Sequence, residues 1–444
     1  MPNIDRATET TINHLLTRAA KPGVHLGLAQ IRQLLACLNN PHHLVPIVHV
    51  AGTNGKGSVC AYVSSVLTQA GYRVGRYTSP HLVSWTERIC INERPISPQN
   101  LSHRLQTVTQ TATAHDLYPT QFEIITAAAW LHFAQELVDI AIVEVGLGGR
   151  LDATNICDRP LATAITSIGR DHWQRLGPTI ADIAGEKAGI FKPAVPAVVA
   201  PLPTAAAAVV ARRSQEVGCP VTWIAPAQPS PEGAGLESSP AWASFVPPSE
   251  QFSPLTYPMG LLGPHQYVNS AVAIALLQIL QTQGWDLSLN AIRAGMKQVS
   301  WPARLQWMQW RGKPLLLDGA HNVDAAHALR QYLDQQAGEK SGSAVCWVIG
   351  MLETKDHGGV LTALLRPGDR ACFVPVPGHQ TADPKDLVSQ ALAVCPQVSA
   401  TSATDVFQAL DWAITPPTSQ PQMGDRPVLC GSLYLIGDML ARIE

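Results

Sequence analysis

The residues best equipped for chemistry begin at Gly55-Lys56-Gly57-Ser58, which the β-branched run Ile47-Val48-His49-Val50 reaches through Ala51-Gly52-Thr53-Asn54. A buried strand, a glycine-rich turn and then a helical pattern to about residue 69 form an arrangement that receives phosphate. Backbone N–H groups approach the oxyanions, the helix start adds partial positive charge, and Lys56 adds a full one. Ser58 offers a hydroxyl suited to Mg2+. The strict P-loop spacing is not met: its first glycine would fall on Val50, and Gly57 separates Lys56 from Ser58.

Three more polar residues stand at the ends of apolar runs. Ser79 follows 73–78, Glu144 lies in 140–145, and His172 follows 161–168. A lone carboxylate in such a run is costly unless paired or bound to metal. Arg150 is the candidate ion-pair partner for Glu144, and a metal is the other account. Gly146, Gly148 and Gly149 imply close backbone approach. In an open α/β sheet, ligands collect beyond the carboxyl ends of the strands. Four polar features on that edge are what a nucleotide–metal site requires. Lys187, in Gly185-Glu186-Lys187-Ala188-Gly189, reads by default as a surface lysine beside Glu186. Thr120 and Glu123 have the spacing of a capping box, which accounts for both without a ligand.

The elements that must position these residues alternate. Helical spacing over 4–20 and 28–38 precedes the phosphate loop. A strand at 73–78, a hairpin around Asn92-Glu93, helices at 98–113 and 122–138, and strands at 140–145 and 161–168 follow. Next come a helix at 179–188, short strands at 197–200 and 221–224, and a Pro/Ser/Gly-rich stretch at 226–258, read as an extended, partly mobile surface insertion. Helices to about 280 and 299 close the first part. From 315 a second β/α alternation begins, with strands at 315–317, 344–350, 370–376 and 427–430. The fold class is α/β: a P-loop-type, mainly parallel sheet with flanking helices in residues 1–298, plus a smaller Rossmann-like α/β C-terminal domain in 303–444.

The 444 residues suit two domains, and 46% hydrophobic with 14% charged residues is ordinary globular composition. A formal charge of −2 provides no footprint for nucleic acid or an anionic membrane. The nine scattered cysteines form no C-x-x-C pair and fit reduced thiols in a cytosol-like compartment. The charged N-terminus is not a signal peptide, and the apolar stretch 270–280 is too short to span a bilayer. A cytoplasmic monomer is expected, with no nucleic-acid or membrane partner.

The ensemble resembles the folylpolyglutamate synthase/dihydrofolate synthase family of the Mur ligase superfamily. The resemblance rests on AGTNGKGSV at 51–59, TSPHL at 78–82, EVGLGGRLDATN at 144–155, the stretch from SIGRDH to LG at 167–177, GEKAGIFK at 185–192, GPHQYVN at 263–269, WPARLQ at 301–306 and DGAHN at 318–322. Their order and spacing span almost the whole chain. The chain departs from the family pattern at Arg170, Gly185, Ala303 and Val323, none of which removes a ligand; the loop 23–26 matches weakly, which bears on substrate preference.

The resemblance implies roles at matching positions. Thr53, Asn54, Gly55, Lys56, Gly57 and Ser58 would cradle ATP phosphates, with Asn269, Arg304, Asp318 and His321 as further ATP contacts. Ser58, Ser79, Glu144 and His172 would serve two Mg2+ sites, and Lys187, carbamylated, would supply a carboxylate to the second. The pterin of dihydropteroate or a reduced folate would meet Gly23, Val24, His25 and Leu26, Thr120, Gln121, Phe122 and Glu123, and Leu151, Asp152 and Ala153. ATP would convert the substrate carboxylate to an acyl phosphate for attack by L-glutamate, with Lys56, His172, Lys187 and Arg304 as the catalytic set. The rivals are a peptidoglycan-precursor amino-acid ligase and, from another class, an ATP-hydrolysing switch or binding module.

Overall fold

A computed structural model describes residues 6–18, 23, 26–232, 241–337, 344–415 and 426–443. The chain divides into two compact units: Met1–Gly260 with Gln266–Ser300, and Leu261–His265 with Trp301–Glu444.

The first unit is built on strands β1 (Ile47–Ala51), β2 (Val74–Tyr77), β3 (Ile89–Ile91), β4 (Arg94–Pro95), β5 (Ile140–Glu144), β6 (Ala162–Ile165), β7 (Ala197–Val199) and β8 (Val221–Trp223). They form one sheet in the order β4-β3-β2-β5-β1-β6-β7-β8, parallel from β2 to β8 with an antiparallel hairpin at one edge. Every residue of β1, β2, β5, β6 and β7 is buried, because helices cover both faces. The near-unbroken apolar runs in the sequence therefore have a physical cause. Val50 pairs with Glu144 on one side and Ala164 on the other, and Tyr77 pairs with Val143. Four neighbouring strands thus end level, so the loops that follow them share one edge.

The helix Lys56–Gln69 is buried without a break from Ser58 to Leu67. It packs against the helices Gln266–Thr282 and Leu289–Gln298, and Ser65 Oγ donates to Gly295 O at 2.9 Å. On the other side of the sheet, Arg6–Arg18, Ala29–Cys37, Pro98–Ala114 and Gln121–Gln135 enclose a core that includes Leu35, Leu105, Trp130 and Phe133. The capping box forms as expected: Glu123 N donates to Thr120 Oγ1 at 3.2 Å, and Thr120 N donates to Glu123 Oε2 at 2.7 Å. Asn92 and Glu93, at φ 47° and 64°, form the left-handed pair that turns the β3–β4 hairpin.

The stretch 226–258 is not simply an extended insertion. Strands β9 (Gln228–Ser230), β10 (Trp242–Phe245) and β11 (Leu255–Pro258) form an antiparallel sheet. Ala243 and Phe245 alternate inward, Tyr257 is fully buried with its hydroxyl donating to Ser270 Oγ at 2.9 Å, and Arg293 Nε donates to Thr256 O at 2.9 Å. The prolines at both outer strands concealed a pattern only three or four residues long.

In the second unit, β12 (Gln306–Trp310), β13 (Lys313–Leu317), β14 (Cys346–Ile349), β15 (Arg370–Phe373), β16 (Ser399–Ser402) and β17 (Pro427–Cys430) form a sheet in the order β12-β13-β17-β14-β15-β16. Only β12 runs antiparallel. Strands β12 and β16 are half-exposed edge strands without the apolar run of a central one, so no sequence pattern marks them. The core holds Trp347, Phe373 and Leu361. Arg330, almost fully buried, donates to Asp369 Oδ2 at 2.7 Å, and Trp347 Nε1 reaches the same oxygen at 3.0 Å.

Candidate active site

The phosphate loop takes its shape from the segment that follows β6. Thr53 N donates to Ser167 O and Asn54 N to Ser167 Oγ, both at 2.8 Å. Thr166 Oγ1 returns a bond to Asn54 O at 2.6 Å, and Thr53 Oγ1 accepts from Gly169 N at 3.0 Å. The next helix starts at Lys56, and its first intrahelical bond runs from Val59 N to Gly55 O. The N–H groups of Lys56, Gly57 and Ser58 therefore begin a helix with no acceptor inside it, the geometry that receives an anion. Gly55 has φ 85°, and a Cβ there would overlap the Asn269 side-chain oxygen, so the position requires glycine. Asn269 is buried and donates through Nδ2 to Gln266 Oε1 at 3.1 Å; the fully buried Gln266 places Nε2 at 3.4 Å from Ser58 Oγ. Thr166, Ser167 and Gln266 had no role in the sequence reading. Hydroxyl-bearing residues straight after a buried strand were the one signal for the first two.

Lys56 Nζ donates to Thr53 O at 3.2 Å and lies 3.8 Å from Glu144 Oε1. Glu144 is 5% exposed and accepts at Oε2 from Ser79 N at 3.1 Å. Of the two accounts of Glu144, the ion pair with Arg150 does not form. Arg150 sits on the exposed side of its loop and forks onto Glu186 Oε1, at 3.0 Å from Nε and 2.7 Å from Nη2. The structure thus brings the phosphate loop, Ser79 and Glu144 together. His172 leaves β6 at the same edge in a left-handed conformation, φ 52°. Its backbone N–H donates to Asp171 Oδ1 at 2.9 Å, and its half-exposed ring places Nε2 at 3.9 Å from Asp171 Oδ2.

Among the described residues, no three His, Cys, Asp or Glu side chains form a ready metal cluster. The donors at this edge include the buried Ser58 hydroxyl, Ser79 and the buried Glu144 carboxylate. Such a set fits a hard cation that keeps most of its water and shares phosphate oxygens, as Mg2+ does.

Lys187 is not a surface lysine. It is 5% exposed, and Nζ donates to Gly52 O at 2.8 Å. Burial, then the charge of Lys56, lowers its pKa to about 7 against the opposing pull of Asp171 and Asp152. Its helix, Ile180–Ala188, packs one face on the sheet, and its neighbour Glu186 is engaged by Arg150 instead. The short polar string Gly-Glu-Lys concealed this.

The residues assigned to a pterin fall into separate groups. Phe122 lies against Gly146, where a Cβ would overlap its ring, and Tyr77 lies 6.2 Å from the Phe122 ring. Thr120 and Glu123 are engaged with each other, and Gln121 opens their helix. Asp152 is buried and shapes its own loop, accepting from Leu147 N at 2.7 Å and from Thr154 Oγ1 at 2.6 Å. Burial pushes its carboxyl upward. His49 on β1 holds Thr154 through a 2.8 Å bond. Leu151 is half-buried and Ala153 buried beside it. Gly23 and Leu26 are exposed; Val24 and His25 lie outside the described residues.

In the second unit, Asp318 follows β13 and is buried. Its oxygens accept from Leu305 N and Ala320 N, both at 2.9 Å. These bonds hold the left-handed residues Ala303 (φ 57°) and Leu305 (φ 46°) on either side of Arg304, whose Nη1 lies 3.3 Å from Ala303 O. Burial raises the Asp318 pKa against the pull of Arg304. His321 Nδ1 lies 2.8 Å from Gly319 O.

Fold and site together define a nucleotide-handling α/β protein of the Mur ligase class. Residues 50–277 match the Mur ligase middle domain, and 304–442 match the dihydrofolate synthetase C-terminal domain. The chain is 34% identical to the dihydrofolate synthase/folylpolyglutamate synthase of Bacillus subtilis over 96% of both chains. It superposes on Mycobacterium tuberculosis folylpolyglutamate synthase, complexed with ADP and AMPPCP, with a TM-score of 0.84, 30% identity and 98% of each chain covered. It also superposes on the bifunctional folylpolyglutamate synthase/dihydrofolate synthase of Yersinia pestis, complexed with AMPPNP and a Mn ion, with a TM-score of 0.81 and 31% identity, covering 99% of this chain and all of that one. The chain belongs to the dihydrofolate synthase/folylpolyglutamate synthase family. Among the described residues, no helix is long and apolar enough to cross a membrane.

Proposed function

We infer that this protein is an ATP-dependent ligase that joins L-glutamate to a pterin or folate carboxylate, with dihydropteroate or a reduced folate as acceptor. The observation that carries the reading is the level ending of four neighbouring strands. The helix start at Lys56, Ser79, Glu144 and the segment bearing His172 all lie at one sheet edge of a chain from this family. A carboxylate is a poor acylating group, so ATP would first phosphorylate it, and the glutamate amino group would displace phosphate to leave an amide. Lys56 and the N–H groups at the helix start would bind the phosphates of ATP and neutralise charge developing on the transferred phosphoryl group.

Ser58, Ser79 and Glu144 would hold one Mg2+, and His172 with Lys187 the second; the bound cations would supply further neutralisation. Lys187, with a pKa of about 7 and burial beside the phosphate loop, has the unprotonated amine that carbamylation by CO2 requires. Thr53, Asn54, Gly55, Gly57 and Asn269 remain our proposal for the nucleotide, as do Arg304, Asp318 and His321. Phe122 and the loop 151–153 are our proposal for the pterin, together with residues 23–26 and the rest of 120–123. We also propose that the protein acts in the cytoplasm as a monomer.

The test uses purified protein with ATP, Mg2+, L-glutamate and, separately, dihydropteroate and tetrahydrofolate, with products identified by mass. A product heavier by one glutamyl unit, with ADP release that needs both acceptor and glutamate, is expected. ADP release at an unchanged rate without them would instead identify a simple ATPase.

A further inference from the structure

We propose that Asn155 is a positioning residue for Lys187, fastening the loop 146–155 to the end of the helix that carries the lysine. This rests on the role given to Lys187 above. Asn155 is 3% exposed, and its Nδ2 donates twice, to Arg150 O at 3.0 Å and to Gly189 O at 3.1 Å. One acceptor lies in the loop, and the other lies two residues beyond Lys187. The amide orientation follows from its partners: two carbonyl oxygens demand the nitrogen, so the oxygen faces the other way. Among the described residues, that buried Oδ1 has no hydrogen-bond partner. The two bonds from its nitrogen are what the side chain contributes across this seam.

Two other contacts join the same surfaces. Arg150 N donates to Glu186 O at 2.8 Å. Gly149 lies so close that a Cβ would stand 2.8 Å from Glu186 O and 3.0 Å from Lys187 O. The backbone around Lys187 is therefore gripped at residues 186, 187 and 189 by one loop. Lys187 Nζ must reach Gly52 O from this helix end, so the grip determines where the amine lies relative to the phosphate loop. Small displacements of a catalytic group carry large rate penalties.

The experiment is a double-mutant cycle on the full-length enzyme, with turnover, KM for ATP and thermal midpoint measured for Asn155→Ala, Lys187→Ala and the pair. Asn155→Ala is expected to lower kcat about thirty-fold, with KM for ATP within two-fold of wild type. The double variant is expected to be no slower than Lys187→Ala alone. A double variant slower by the full Asn155 factor would overturn the proposal. Lys187→Ala at wild-type rate would instead refute the role of the lysine, so the two failures are distinct.

Asn155→Asp sharpens the test, since it keeps the volume but sets a carboxylate oxygen against two carbonyls. It should be slower than Asn155→Ala, whereas a packing role alone would make alanine the worse of the two. Should the Asn155 variants fail to fold, Gly149→Ala approaches the grip from the loop side. The same loss of kcat at unchanged KM for ATP is expected there; wild-type kcat from a folded Gly149→Ala protein would count against the proposal.

Discussion

Each unit places a buried carboxylate at the C-terminal end of one of its strands, Glu144 closing β5 and Asp318 following β13, but their surroundings differ. Both oxygens of Asp318 accept backbone N–H groups, from Leu305 and Ala320, and those bonds hold the turn that carries Arg304. Glu144 accepts from Ser79 N at one oxygen, and its other oxygen faces the Lys56 ammonium at 3.8 Å. Asp318 is occupied with the shape of its own chain. Glu144 faces a side-chain charge, the Lys56 ammonium, that also donates to Thr53 O in the glycine-rich loop. The same sequence signature, a lone acid closing an apolar strand, thus serves architecture in one unit and charge management in the other, and only the partners tell them apart.

The widest separation between the two should come from isosteric neutralisation. Glu144→Gln is expected to lower turnover by about 10³-fold or more, on the scale of losing an electrostatic partner of the transferred group, while shifting the thermal midpoint by only a few degrees. Asp318→Asn leaves one backbone N–H without its acceptor. It should destabilise the second unit by about 1–3 kcal/mol and raise KM for ATP more than it lowers kcat. Calorimetry and steady-state kinetics on both variants check this. A Glu144→Gln protein that melts early yet turns over normally per folded molecule would erase the contrast.

How much was legible depended on whether a residue's role lay along the chain or across it. The central parallel strands, the phosphate loop and the edge that gathers Ser79 and Glu144 followed from apolar runs and glycine placement, which burial on both sheet faces imposes directly. The capping box at Thr120 and Glu123 was legible because its partners are three residues apart. The local string around Lys187 reads as a surface helix, and only the resemblance marked the residue, because its partner Gly52 is 135 positions away. Arg150 stayed open as a partner for Glu144 because ion pairing is decided by which way a loop turns, and that turn is set by contacts with residues 186–189. Strands β9 to β11, β12 and β16 were missed where runs were short, broken by proline or half-exposed.

Lys187 extends the comparison to a buried base. Its folded pKa of about 7 lies below the ordinary lysine value, so between those two values the unfolded chain binds more protons than the folded one. Stability therefore rises with pH from about 7 to about 10, and the full cost of burial is present below 7. Lys187→Met should remove that rise, giving a flatter stability–pH curve and a more stable protein at pH 6. Denaturant unfolding at pH 6, 8 and 9.5 tests the sign. An unchanged curve would mean that the amine is solvated in solution.

The smallest expected effect decides the most about Glu144. Arg150 forks onto Glu186 with its guanidinium about half exposed, at 54%, and pairs in that setting contribute little because water already screens them. The part of Arg150 that grips the helix is its backbone N–H to Glu186 O, which survives any side chain except proline. Arg150→Ala should therefore cost less than about 1 kcal/mol and leave kcat within about three-fold of wild type. Had Arg150 been the charge partner of Glu144, its removal would strand a buried carboxylate, at about 3–5 kcal/mol, and stability would fall steeply. Equilibrium unfolding of Arg150→Ala beside Glu144→Gln separates these cases. If both variants lose stability alike and neither loses turnover per folded molecule, Glu144 is a structural ion-pair partner and the assignment of the sheet edge to metal and phosphate fails.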